Sequence, residues 1–337
     1  MKNIIFFSHA EKKPSGGAKY IYDFSDTINK TKNFSSEVVH IKKKKTSKLR
    51  DSINKKLNIK EKKYSGWLLE DITYVKDFKY RWFDNKIKIR NDFNFNKKKD
   101  FVILPEIFAH LADDLLIKKN IDYSIFVQNG YCLDSTNNEK LLNKVYKNAK
   151  FILSSSNDTS DCIKLRFSKL KLKIFKMIYS VNVGPINYKN KKNIIVYTNR
   201  KLPHHCNLVA SFLKSNLPKN WHLKNLHNLK YTDYLSEIRK SKIFLSFSNL
   251  EGLGLPPVEA ALAGNHVIGY TGESGKEYWQ KPIFTKINSG EIKNFVFNIL
   301  KKINSKEKFN QKNYLKLKKK FSEENKKKSI KKILKLI

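Results

Sequence analysis

The residues best suited to chemistry lie in one run, Glu251-Gly252-Leu253-Gly254-Leu255-Pro256-Pro257-Val258-Glu259-Ala260-Ala261-Leu262-Ala263-Gly264. Two carboxylates, Glu251 and Glu259, stand eight positions apart around a loop with two glycines. A carboxylate accepts hydrogen bonds from neighbouring hydroxyls, and glycine lets the backbone approach a ligand closely. Paired prolines set φ for a first helical turn, where a missing N–H costs nothing. This reading puts Glu259 in that first turn, where the helix dipole favours negative charge. The combination suits a polyhydroxyl ligand bearing phosphates, with Gly252, Leu253, Gly254, Leu255 and the helix start offering N–H groups to it. The plainer alternative is a strand–turn–helix connection with a capping glutamate; the carboxylate pair, the glycines and the preceding apolar strand count against it.

Tyr197-Thr198-Asn199-Arg200-Lys201 supplies a guanidinium fork and an ammonium, groups that pair with phosphate oxygens. Two ordinary surface cations are the alternative, a stronger one for Lys201 than for Arg200. Gly16-Gly17 follows the first apolar run, and Gly272-Glu273-Ser274-Gly275-Lys276-Glu277-Tyr278 follows a later one. Gly275 serves there either a structural turn or a close ligand approach. His9, Pro105-Glu106 and Gln128-Asn129-Gly130 fall at predicted strand ends, where a polar residue either meets a ligand or, more often, is structural, and His110 is equally read as a helix-surface residue. His204-His205-Cys206 is no metal site, because adjacent helical residues point about 100° apart. The chain has no Asp-x-Asp pair of the kind that holds a divalent cation on a diphosphate.

Those residues need elements to position them. Strand signals at Asn3–Ser8, Ser36–Ile41, Asp100–Leu104, Tyr123–Gln128 and Phe151–Ser154 alternate with helix signals at Ala18–Asn29 and Asn138–Asn148. After Gly184-Pro185 the alternation restarts: strand Asn193–Tyr197, helix His205–Asn216, strand Trp221–Leu226, helix Thr232–Ser241, strand Lys242–Phe247, helix Pro257–Ala263, strand Asn265–Gly269. Such a pattern predicts an α/β chain with two doubly wound parallel sheets and a cleft facing their carboxyl ends. The predicted divisions are a first doubly wound domain over 1–183, a second over 184–305 and a basic helical tail over 306–337. In the tail Leu315, Phe321, Ile330, Ile333 and Leu334 are spaced to pack on a body. Lys42–Lys63 reads as a solvated loop or exposed helix.

The chain has 337 residues, enough for two cores, and no apolar run long enough to span a membrane. Its start lacks a signal-peptide cleavage pattern, and three scattered cysteines fit a reducing compartment, so a cytoplasmic location is expected. The net charge is +39, almost all of it lysine beside abundant Asn and Ile, a pattern that an A/T-rich coding sequence produces. Arginine, which specific nucleic-acid readers use for bidentate contacts, is scarce, so no nucleic-acid partner is expected. Weak attraction to an anionic membrane surface is a secondary expectation.

The Glu251–Gly264 run resembles the E-x7-E motif of retaining GT-B glycosyltransferases of the "group 1" family, whose usual form is E-G-F-G-L-P-P-L-E-A-M-A-C-G. The resemblance covers roughly residues 190–300. It implies two Rossmann-like domains facing a central cleft, acceptor-side over 1–183 and nucleotide-sugar-binding over 184–305, and sugar transfer from a nucleotide-sugar donor to a glycan, lipid-linked or small-molecule acceptor. It implies that Glu251 contacts hydroxyls of the transferred sugar, that Glu259 holds the nucleotide ribose, and that Arg200 and Lys201 meet the diphosphate. Gly16 and Gly17 resemble the family's N-domain glycine loop, which lies against donor phosphate and acceptor, and Gly275 sits in a segment similar to a Gly-rich stretch of a bacterial subgroup. Retention of anomeric configuration, no metal and no cofactor are implied in the same way. A catalytically inactive scaffold of this architecture, or a basic polyanion- or nucleic-acid-binding protein, is the alternative reading.

Overall fold

The protein is described from a computed structural model over residues 1–11, 15–44, 68–82, 87–305 and 310–337. Residues 45–63 of the basic stretch and Pro14 therefore lie outside the described residues. The chain divides into two compact units. The first comprises Met1–Ser155, Thr159–Met177 and Ser329–Ile337, the second Ser156–Asp158 and Ile178–Lys328.

The first unit is built on β1 (Lys2–His9), β2 (Phe34–Lys43), β3 (Ile72–Tyr74), β4 (Lys88–Arg90), β5 (Asp100–Pro105), β6 (Tyr123–Val127), β7 (Ile152–Ser154) and β8 (Ile174–Lys176). The order is β3-β2-β1-β5-β6-β7-β8, with β4 also paired to β2. Only β3 runs antiparallel to its neighbour. Ile4, Ile5, Phe6 and Phe7 are all buried, as a strand covered on both faces requires. Ile5 and Phe7 join a core with Leu142, Val145 and Tyr146 of helix Glu139–Asn148. Ile4 and Phe6 face Phe24 and Ile28 of α1 (Gly16–Asn29), together with Ile330 and Ile333 from the end of the chain.

The last helices correct one detail of the expected packing. Phe321, Ile330, Ile333 and Leu334 are buried, but Leu315 is 52% exposed and Leu317 takes the inward position instead. Within helix Gln311–Lys320 these two residues sit about 200° apart around the axis, so only one can face inward.

The second unit holds β9 (Lys192–Tyr197), α2 (Pro203–Lys214), β10 (His222–Asn225), α3 (Tyr231–Lys240), β11 (Ser241–Glu251), α4 (Leu255–Leu262), β12 (His266–Glu273), β13 (Phe284–Lys286) and α5 (Ile292–Ile303). Its sheet is parallel throughout, in the order β10-β9-β11-β12-β13. Apolar strand residues Ile195, Ile243, Leu245 and Ile268 pack with Val209 and Leu213 of α2 and Phe295 and Ile299 of α5. A buried polar knot ties α3, β11 and α4 together. Asn265 donates to the carbonyls of Ile238 and Ala260, and its own side-chain oxygen accepts from Ser241.

Candidate functional site

β11 is longer than its apolar run and ends on Glu251 itself. Its register against β12 shifts between Ser248 and Glu251, bringing Glu251 opposite Glu273. A bulge at a strand end re-aims a side chain. Gly272, at φ +64, makes room for the result: a Cβ there would lie 2.9 Å from Cγ of Glu251 and 2.6 Å from the Asn249 carbonyl oxygen. Next to it Glu273 has φ 66, a conformation a non-glycine residue rarely holds.

Across from Glu251, the turn after β9 brings in Lys201, whose Nζ lies 2.5 Å from Oε1 of Glu251. The turn is fixed from below. The Cys206 thiol, in the first turn of α2, donates toward the carbonyls of Lys201 at 3.5 Å and Thr198 at 3.8 Å. Burial pushes that thiol up to about 12, so it stays a protonated donor. Leu202, the residue before α2, takes a left-handed conformation at φ 45 and turns the chain sharply after Lys201. Arg200 is exposed and, among the described residues, has no ion pair or hydrogen bond.

The connection from Glu251 to α4 is buried over Gly252, Leu253, Gly254 and Leu255. Gly254 caps α4 at φ 74, a left-handed conformation, and a Cβ on it would stand 3.2 Å from the Tyr278 hydroxyl. That hydroxyl lies 3.0 Å from the Leu253 carbonyl and 2.9 Å from the Gly254 carbonyl, so it clamps the loop. Burial holds the Tyr278 phenol far above its usual range, and it remains a donor. Gly275 is also buried: a Cβ there would lie 2.8 Å from the Trp279 indole nitrogen, so its missing side chain is used for packing.

Glu259 lies elsewhere in its helix than the sequence suggests. α4 begins at Leu255, so both prolines fall inside its first turn and Glu259 is the fifth helical residue, beyond that turn. The dipole argument for Glu259 therefore falls away. The prolines also remove two first-turn N–H groups, so the helix start offers few donors to an anion. Glu259 is 4% exposed, and Oε1 accepts a hydrogen bond of 2.6 Å from the Tyr231 hydroxyl of α3. Tyr234 stacks beside Tyr231, with ring centroids 6.1 Å apart, and its phenol is pushed up by burial and then by the charge of Glu259. Nothing in the local sequence signals this partnership, which spans 28 residues.

In the first unit, Gly16 and Gly17 are not a free loop but the first two residues of α1, whose cap Ser15 accepts from the Ala18 N–H. The first-turn N–H groups of a helix lack intrahelical partners, so the glycines still present donors. A Cβ on Gly17 would collide with Gln128, whose side-chain amide donates to the Gly17 carbonyl at 3.1 Å. Gln128 is held in turn by Glu106, which accepts from the backbone N–H groups of Gln128 at 2.9 Å and Asn129 at 3.0 Å. Burial pushes the Glu106 carboxyl up to about 7, against the pull of those N–H groups. His110 is 6% exposed rather than on the surface, and its N–H donates to Ser135. The short 3-10 turn Glu106–Leu111 rolls it inward.

His205 Nδ1 lies 3.0 Å from the Tyr270 hydroxyl, and Cys206 faces backbone carbonyls. Among the described residues no three His, Cys, Asp or Glu side chains gather as a metal site would require.

No family model matches the sequence, and no curated protein does either. Solved structures do. HepE of Anabaena, solved with UDP and glucose, aligns with 100% of this chain and 100% of its own at TM-score 0.64 and 10% identity. TarM aligns over 100% of this chain and 98% of its own, at TM-score 0.62 and 12% identity. The fold is GT-B. A third GT-B neighbour, the lipopolysaccharide outer core galactosyltransferase WaaB, covers 99% of this chain and 100% of its own at TM-score 0.59 and 15% identity. In the second Rossmann-like domain of this GT-B chain Lys201 pairs with Glu251, the Gly252–Gly254 loop leads from Glu251 into α4, and Glu259 is held against Tyr231 of α3, while Arg200 is exposed in the turn beside Lys201. Gly16 and Gly17 belong to the first domain.

Proposed function

We propose that this chain is a retaining glycosyltransferase that takes a sugar from a nucleoside-diphosphate sugar without a metal ion and passes it to a hydroxyl of a glycan or lipid-linked acceptor. The observation that carries the reading is the pairing of Lys201 with Glu251 at the end of β11. One group there is suited to a diphosphate, the other to sugar hydroxyls, and they sit at the carboxyl edge of a parallel sheet, where α/β folds bind ligands.

In this mechanism the bond between the anomeric carbon and the diphosphate oxygen breaks, and the oxygen leaves with the electron pair. Lys201 and Arg200 stabilise the growing charge, a task the proline-blocked helix start can share only in part. The acceptor hydroxyl attacks the same face of the sugar, and its proton passes to the departing phosphate oxygen. Glu251 orients the sugar through its hydroxyls. Glu259, fixed by Tyr231, accepts from the nucleotide ribose.

HepE was solved with UDP and glucose, and the pneumococcal O-GlcNAc transferase GtfA with UDP and GlcNAc. Uridine is therefore the donor base to test first. A thermal-shift screen against UDP, GDP, ADP and CDP, with EDTA and with added Mg²⁺, should show one diphosphate stabilising the protein equally in both conditions. Equal weak shifts from every polyanion would reject the donor site, and a shift that EDTA abolishes would reject the metal-free mechanism.

A further inference from the structure

On the far edge of the second unit's sheet lies a groove of about 620 Å³, within the roughly 300–1,000 Å³ range of small-ligand sites. Its walls come from the edge strand β13, the segment before it, and α5. It shares no residue with the Glu251 site.

Its charge is one-sided. Lys281, Lys286, Lys301 and Lys302 line it, and no Asp or Glu does among the described residues. Glu291 accepts from Asn288 and Asn294 and is not part of the lining. Some other lysines of this unit are matched with acids, Lys224 with Glu237, Lys276 with Glu273 and Lys320 with Glu277. Lys281, Lys286 and Lys301 have no such partner among the described residues. A concave site lined by one sign of charge over low-dielectric walls focuses the field and raises the local concentration of counter-ions.

The remaining lining is suited to more than a bare ion. Trp279 is braced by Phe284, with ring centroids 5.1 Å apart, and both line the groove. The negative face of an aromatic ring attracts the polarised C–H groups of a sugar. Asn294 and Asn298 on α5, and Thr285 paired with His266 at 2.8 Å, add groups that both donate and accept, as hydroxyls require. Single-stranded nucleic acid instead needs successive aromatic or guanidinium planes free to stack its bases; here Phe284 is buried against Trp279, His266 is engaged with Thr285, and no arginine lines the groove.

We propose that this groove binds an anionic glycan, a hydroxylated chain carrying spaced carboxylate, sulfate or phosphate groups, at a site separate from the donor site. Lysines meet the anionic groups, and Trp279 with the asparagines meets the sugar faces between them. The proposal stands whether or not the chain transfers sugar.

The bland explanation is that a chain of net charge +39 attracts any polyanion everywhere. The test therefore compares two variants of equal charge in the full-length protein. One carries Lys281→Gln, Lys286→Gln and Lys301→Gln; the other carries Lys118→Gln, Lys147→Gln and Lys164→Gln, in the first unit. Binding of a heparin-derived hexasaccharide at 150 mM salt is read by fluorescence anisotropy, beside an inorganic polyphosphate and a single-stranded RNA twelve-mer. The groove variant should lose at least tenfold affinity for the hexasaccharide and the control variant less than twofold. Trp279→Ala should weaken the hexasaccharide at least threefold and leave polyphosphate within twofold. Equal losses in the two triple variants would overturn the proposal in favour of overall charge. RNA bound more tightly than the hexasaccharide through the same lysines would overturn it in favour of a nucleic-acid site.

Discussion

Lys201 and Glu251 form an ion pair of 2.5 Å between the turn after β9 and the end of β11, two neighbouring strands. Both side chains are partly exposed, at 33% and 20%, so the pair itself adds little to stability. On the function proposed above its meaning is chemical: it keeps a cation and a carboxylate ready in one place, and a bound donor would divide them.

Lys201→Met should therefore weaken nucleoside-diphosphate binding by about 10- to 100-fold, the range of a charge-assisted hydrogen bond worth roughly 1.5–3 kcal/mol. The melting temperature should move by no more than about 2 °C, as for a surface pair worth under about 1 kcal/mol in a domain of this size. Titration calorimetry with UDP reads the first quantity and calorimetric unfolding the second. Unchanged UDP affinity would return Lys201 to the status of a surface cation.

Glu259 and Tyr231 should behave as one unit. Glu259→Gln preserves the shape and an acceptor for the Tyr231 hydroxyl, so the fold should hold while turnover falls by about 10²-fold or more, as for loss of a well-placed polar contact. Tyr231→Phe removes the Tyr231 hydroxyl from the donors to a buried carboxyl group and should cost about 1–3 kcal/mol of stability. Urea unfolding of both single variants and the double variant measures the coupling. Additive losses would show that the two side chains do not act together.

Much of this arrangement could be read in the sequence, and the exceptions have physical causes. Strands such as β1, β5 and β9 announce themselves because continuous apolar runs are buried on both faces. The end of β11 does not, because Ser246, Ser248 and Asn249 break the apolar run while the backbone stays extended. The two prolines mark a helix start, but their tolerance anywhere in the first turn leaves its first residue open, which is how Glu259 comes to lie deeper in α4. Tyr231 carries no sequence signal, and Tyr278 and Cys206 fall in runs that the sequence singles out for other reasons. Each reaches the site through contacts with backbone or buried carboxylate, and single-residue types carry no signal for that.

Gly254→Ala should be costly for two separate reasons. Alanine at φ 74 is disfavoured by about 1–2 kcal/mol, and its Cβ would press on the Tyr278 hydroxyl at 3.2 Å. Tyr278→Phe removes the clamp on the Leu253 and Gly254 carbonyls without the backbone strain. Hydrogen exchange across residues 250–256 should speed up in both variants, and UDP affinity should fall with it. Faster exchange with unchanged UDP affinity would separate the loop from donor binding.

His40 should make the protein sensitive to mild acid. It lies fully buried on β2 with Nε2 at 2.7 Å from the Tyr22 hydroxyl, and burial lowers its pKa from 6.5 to about 4. In the unfolded chain the imidazole takes up a proton near pH 6.5, but in the folded protein only near 4. Between those values the unfolded state binds more protons, so this residue's contribution is complete above pH 6.5 and is lost as the pH falls to 4, about 3 kcal/mol in all. Glu106 acts in the opposite direction, because its raised pKa favours the folded state at low pH and that benefit fades as the pH rises from 4.5 to about 7. The two trends overlap, so the wild-type curve alone does not isolate His40. The decisive quantity is the difference in unfolding free energy between wild type and His40→Gln, measured in urea at pH 7, 6, 5 and 4. The advantage of wild type should shrink steadily across that series, and a difference independent of pH would show that His40 is not held neutral by its burial.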